Sequence, residues 1–176
     1  MNNYYTRLAR ESIKHFLQTG KIMKVPSDLD GEILNKKAGV FVSLHNKEDN
    51  SLRGCIGTFQ PSYRNIAEEI IQNAVQAAFF DPRFPPLKEK ELDKVKISVD
   101  ILSPLEQVTS EKELNPKRFG ILVVGNKSKR RGLLLPNIEG VKTLEQQLSI
   151  AIDKAGINPL NEEITLYRFT VKRYEE

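Results

Sequence analysis

Leu52-Arg53-Gly54-Cys55-Ile56-Gly57-Thr58-Phe59 holds the only cysteine of the 176-residue chain, between two glycines and two residues after an arginine. The stretch reads as a strand, with Leu52, Gly54, Ile56 and Thr58 on one face and Arg53, Cys55, Gly57 and Phe59 on the other. Arg53 and Cys55 are then expected to share a face, where a guanidinium favours the thiolate over the thiol. Gly57 is expected to leave room on that face, for a bulge, a bend or the close approach of a ligand. The plainer reading makes Cys55 a small buried hydrophobe. The polar and absent side chains around the thiol argue against simple core filling.

Working outward, Ala38 to His45 alternates as a strand, with Val40, Val42 and Leu44 on one face and Phe41, Ser43 and His45 on the other. The turn-rich Asn46-Lys47-Glu48-Asp49-Asn50-Ser51 should return it as a hairpin into the Cys55 strand. Matching the apolar faces places Ser43 and His45 with Arg53 and Cys55. Two registers stay open. With His45 opposite Arg53 the thiol is a reachable diagonal neighbour; with His45 opposite Ser51 it is too far.

Residues 5 to 19 carry an apolar stripe at helical spacing that stops at Gly20. Asn65 with Glu68 resembles a capping box ahead of the broad apolar surface from Ile66 to Ala78, which predicts a buried helix within 62 to 80. Asp81-Pro82 ends that helix, and three prolines stiffen Asp81 to Pro86 into a loop suited to hold Asp81 and Arg83. Val95 to Leu102 alternates as a half-buried strand. Residues 105 to 117 are polar and irregular. Phe119 to Val124 and Gly132 to Leu135 read as a second hairpin, Thr143 and Gln146 cap a helix over 143 to 155, and Ile164 to Arg173 reads as one last strand. The expected fold is α+β: a mainly antiparallel sheet of the 38 to 59 hairpin, the 95 to 102 strand and the C-terminal strand, flanked by helices. A smaller β-rich lobe around 104 to 136 would bud from a single domain spanning 1 to 176.

Composition bounds the chemistry. Hydrophobic residues are 39% and charged residues 28% of the chain, in the ordinary range of globular proteins. No stretch approaches the ~20 apolar residues of a membrane span, and the N-terminal residues lack an apolar signal core, so a cytoplasmic protein is expected. One cysteine excludes an internal disulfide, and with two histidines it makes no thiolate-and-imidazole zinc site. No metal and no cofactor is therefore expected, phosphate-binding glycine loops and Gly-x-Ser-x-Gly elbows being absent. The net charge of +4 concentrates in Lys127-Ser128-Lys129-Arg130-Arg131, a run without the aromatics that single-stranded nucleic acid needs. Nucleic acid is an unfavoured partner.

Leu-Arg-Gly-Cys-Ile-Gly resembles the signature of the AMMECR domain family. The other blocks follow in that family's order: Asp81-Pro82-Arg83-Phe84-Pro85-Pro86, Ile97-Ser98-Val99-Asp100-Ile101-Leu102, Gly132-Leu133-Leu134-Leu135-Pro136 and Lys154-Ala155-Gly156-Ile157. Within the family the chain is most similar to the bacterial form called protein A of the AmmeMemoRadiSam system. The resemblance implies the fold but brings no established reaction, and at position 137 many members carry glutamine where this chain has Asn137. Two functions are carried forward. In the first, an enzyme acts on a small molecule in a cleft beside Cys55, with Cys55 as nucleophile or covalent carrier, Arg53 stabilising the thiolate or an anion, and His45 as general base. Gly54, Gly57, Asp81, Arg83 and Asn137 would bind substrate. In the second, which the system resemblance implies, the protein is a non-catalytic accessory or recognition module for a radical-SAM or Memo-type partner.

Overall fold

The computed structural model describes residues 4–29 and 31–176. In chain order the elements are α1 (Tyr4–Thr19), α2 (Gly31–Asn35), β1 (Val40–Asn46), β2 (Leu52–Thr58), α3 (Ile66–Phe79), α4 (Glu89–Leu92) and β3 (Val95–Leu102). They continue with β4 (Glu106–Val108), β5 (Gly120–Gly125), β6 (Arg131–Leu134), α5 (Leu144–Ala155), β7 (Ile164–Phe169) and β8 (Val171–Glu175). The fold is α+β, with antiparallel strand pairing and helices against the sheets. No helix among the described residues is long and apolar enough to cross a membrane.

Two compact units divide the chain, one formed by residues 1–101 with 172–176 and the other by 102–171. The first is built on a sheet in the order β2-β1-β3-β8. Alternation sorts its strands into two faces. Val40, Val42 and Leu44 of β1 and Ile97 and Val99 of β3 are buried against Leu8 and Ile13 of α1 and Ile70 and Ala74 of α3. Burying each such aliphatic side chain is worth about 1.5 to 3 kcal/mol, so α3, apolar over most of its circumference, forms the centre of this core. Asn65 starts α3 by accepting a hydrogen bond from the Glu68 amide at 3.0 Å. Glu69, fully buried on the same helix, accepts from Thr58 Oγ1 (2.7 Å), the Tyr63 amide (2.7 Å) and the Ser62 amide. A buried carboxylate satisfied in this way fixes the turn between β2 and α3.

The second unit holds a sheet in the order β4-β7-β5-β6. Ile121 and Val123 of β5 and Leu134 of β6 form its core with Ala151 of α5 and Ile157. Thr143 and Gln146 close the expected capping box, and Gly156 ends α5 in the left-handed conformation at φ 62°. The stretch 104–136, read from sequence as a smaller lobe, lies inside this unit together with α5 and β7.

Two expectations need correction. Ile164 to Arg173 is not one strand: β7 belongs to the second sheet and β8 to the first. The break falls at Thr170, whose carbonyl accepts from the Ser103 amide while its own amide donates to Ser103 Oγ, both at 2.9 Å. Those bonds end pairing with the second sheet without disturbing the apolar alternation, which continues through the break. The helix over 143 to 155 likewise covers the second sheet rather than the first, packing Ala151 onto Ile121 and Val123.

Candidate functional site

As the edge of the first sheet, β2 must find partners for the backbone groups it turns away from β1. At Cys55 both partners are side chains. The Cys55 amide donates to Asp81 Oδ2 at 2.9 Å, and Arg83 Nη2 donates to the Cys55 carbonyl at 3.0 Å. Arg83 also grips Asp81 through Nε–Oδ1 (2.9 Å) and Nη2–Oδ2 (2.7 Å), and the Arg83 amide donates to Oδ1 at 3.1 Å. Asp81-Pro82-Arg83 thus stands where a further strand would pair. Asp81 is 3% exposed. The hydrogen bonds from Arg83, with smaller help from the Cys55 and Arg83 amides, hold its carboxyl far below the usual carboxylate range against the opposing effect of burial. Arg83 is raised in turn, chiefly by Asp81, with a lesser contribution from the Cys55 side chain.

The thiol lies on the face of the sheet that turns away from α1 and α3. Ser43 stands directly opposite Cys55, and its hydroxyl donates to Sγ at 3.2 Å. Cys55 is partly exposed. Across β1, Ser98 of β3 opposes Ser43, Lys96 opposes His45 and Asp100 opposes Phe41. Asp100, 2% exposed, accepts from Arg173 Nε (2.7 Å) and Nη2 (2.8 Å) of β8. The polar face therefore runs from the thiol through two hydroxyls to the buried Asp100 carboxylate and its more exposed partner Arg173.

The bulge alters two roles read from sequence. The pairing Leu44↔Gly54 is followed by His45↔Leu52, so the register shifts and Arg53 falls out of strict alternation. His45 opposes neither Arg53 nor Ser51, and Ser43 rather than His45 touches the thiol. Arg53 does not bond the thiol. Its Nε and Nη2 lie 3.2 and 3.4 Å from the Glu91 carboxylate of α4, and Nη1 is buried without a hydrogen-bond partner. The guanidinium that neighbours Cys55 is that of Arg83. His45 is half-buried, and its pKa is lowered by burial first and then by Lys96 and Arg173, which outweigh Glu175 and Asp100. A neutral imidazole on this face is free to accept a proton.

The glycines also differ from expectation. Gly54 looks the other way: a Cβ there would lie 2.2 Å from the Ala77 carbonyl oxygen of α3, so the residue lets helix and strand approach. The space above Gly57 is filled by the Phe41 ring opposite, 2.2 Å from where a Cβ would stand. Asn137 belongs to the second unit, with φ 55° and its amide donating to Pro116 O at 2.8 Å. In the basic run, the Lys127 and Ser128 amides donate to Glu162 Oε2 at 2.9 Å, and Arg130 caps the end of α5 through the Gly156 carbonyl at 2.6 Å. Sequence reasoning missed the roles of Ser43, Glu91 and Arg173. The signal for Ser43 was its alternation with His45, which could not be used until the register was fixed.

These features define an α+β protein with two antiparallel sheets and one partly exposed thiol held on a sheet edge by an Asp-Arg clamp. The chain belongs to the AMMECR1 family, whose model matches residues 6–174. It is 49% identical over 171 residues to a protein of Thermotoga maritima, covering 97% of each chain. It is also 47% identical over 173 residues to a Clostridium acetobutylicum protein, but spans only 36% of that protein's length. Among solved structures it is similar to uncharacterized protein PH0010 from Pyrococcus horikoshii, with a TM-score of 0.90 and 35% identity over 99% of this chain and 90% of that one.

Proposed function

We propose that the polar face of the first sheet is the working surface of an enzyme in which Cys55 is the nucleophile or covalent carrier. The observation that carries this reading is the clamp. Asp81 and Arg83 immobilise the backbone of Cys55 on an edge strand, while Sγ stays partly exposed with Ser43 as its hydrogen-bond donor. A cysteine serving only as core filler has no need of such positioning. Ser43 would orient the sulfur through its hydrogen bond, and His45, kept neutral, would serve as base for a substrate proton. We place the protein in the cytoplasm, acting on a small molecule as part of an AmmeMemoRadiSam-type system with radical-SAM and Memo-type partners.

The second reading, a non-catalytic module for those partners, is favoured by Gly54, whose service to α3 gives part of the motif a purely structural purpose. Alkylation and complementation separate the two. In the enzyme reading iodoacetamide modifies native Cys55, and Cys55→Ser folds but fails to complement a strain lacking the gene, because a serine hydroxyl is a far poorer nucleophile at neutral pH. Resistance of Cys55 until unfolding, together with full complementation by Cys55→Ala, would install the module reading instead.

A further inference from the structure

Beyond the thiol, the polar face carries a group of donors with nothing to donate to. His45 and Lys96 oppose each other across β1 and β3, and Ser98 opposes Ser43 one step along. The side chains of His45, Lys96 and Ser98 have no hydrogen-bond or ion-pair partner among the described residues, although each is half-buried. The charges nearby are otherwise paired. Asp81 is bound to Arg83 and Asp100 to Arg173, both carboxylates being buried. Glu175 of β8 is the one acid close to His45 that is left over, and it is exposed. Cross-strand neighbours on one face stand ~5 Å apart and two-residue steps along a strand ~7 Å. His45 is therefore a diagonal neighbour of the thiol, and Lys96 stands one strand further across.

The geometry points to a ligand bearing a carboxylate or phosphate group, bound by Lys96, His45 and Ser98 so that the rest of the molecule lies over Cys55. This rests on the reading of the polar face as the working surface and names the class of substrate it takes. A lysine without a partner and a hydroxyl facing the same space suit an oxyanion, since an ammonium offers three donors and no acceptor. Arg83 and Arg173 add positive field from either side, while their own strong bonds remain with Asp81 and Asp100.

Two probes test this. The first is the rate of Cys55 carboxymethylation by anionic iodoacetate divided by its rate with neutral iodoacetamide, in the folded protein and in the urea-unfolded protein. Folding should raise the ratio roughly fivefold at low salt, an effect that fades with added salt. Lys96→Gln should remove the preference for iodoacetate, whereas Glu175→Gln should increase it. The second probe is inorganic phosphate, and separately acetate, titrated while the His45 imidazole resonances are followed by NMR. Saturable shifts that weaken in Lys96→Gln are expected, and the stronger of the two anions identifies the group. An unchanged rate ratio together with unmoved His45 resonances would overturn the anion site even if Cys55 reacts freely. An unreactive Cys55 with saturable His45 shifts would instead leave the anion site standing and remove the nucleophile.

Discussion

The strands β2 and β6 solve the same packing problem in separate sheets. Each is an edge strand paired antiparallel to its neighbour, and each lays a glycine against a helix: Gly54 against Ala77 of α3, and Gly132 against Ala151 of α5. In both places an added Cβ would meet a backbone carbonyl oxygen, at 2.2 Å and 1.8 Å. The difference lies on the residue next to the glycine. Cys55 follows Gly54 and is clamped by Asp81 and Arg83; after Gly132 comes Leu133, which carries no reactive group. A glycine in a recognisable motif can thus be an architectural requirement, while the chemistry sits one position away and on the opposite face.

Substitutions can break this parallel. Gly54→Ala and Gly132→Ala should both be severely destabilising, by about 3 kcal/mol or more, because the obstacle is helix backbone rather than a movable side chain. Denaturant midpoints check this, and a harmless Gly132→Ala would end the analogy. Asp81→Ala should cost roughly 2 kcal/mol at neutral pH through lost charge-assisted hydrogen bonds, with no counterpart in the second sheet. Since the Asp81 carboxyl is depressed in the folded state, its contribution is present above the unfolded value near pH 4 and is lost as pH falls toward the folded value. The gap between wild type and Asp81→Ala should accordingly narrow in acid. Ser43→Ala should change stability by less than ~1 kcal/mol yet slow alkylation of Cys55 severalfold. The smallest effect concerns His45, whose folded pKa is lowered. Its unfolded form takes up the proton first, so wild type should lose stability as pH drops below about 6.5, and His45→Gln should lack that part of the loss in pH-dependent melts.

Much of the frame was legible because periodicity reports burial. The stripes of α1, α3 and α5 and the alternation of β1 and β3 each matched a core face, and the Thr143-Gln146 box lay where it was expected. What escaped were local departures that leave the pattern intact. Thr165, Tyr167, Phe169 and Val171 keep one parity across the break at Thr170, so nothing in the pattern announces a change of sheet. The bulge at Arg53 is silent in the same way, and it decides that Glu91 rather than Cys55 receives the guanidinium. Asp81 and Arg83 were legible as residues held by a proline-stiffened loop. Their grip on the main chain of a distant strand depends on a contact spanning 26 residues, for which neither composition nor spacing carries a signal.

The last strand has a consequence for the order in which the protein is made. Residues 172–176 complete the first unit, giving Arg173 to the buried Asp100 and Glu176 to Arg10 and to the Ile97 amide at 3.0 Å. A nascent chain that has emerged as far as β7 already contains everything the second unit needs. The sheet bearing Cys55, interrupted for the 70 residues from Leu102 to Val171 and closed only by these five, still has an uncovered edge and a buried acid without its base. The unit that starts first during translation is therefore the one that finishes last, and its polar face assembles only once the ribosome has delivered β8.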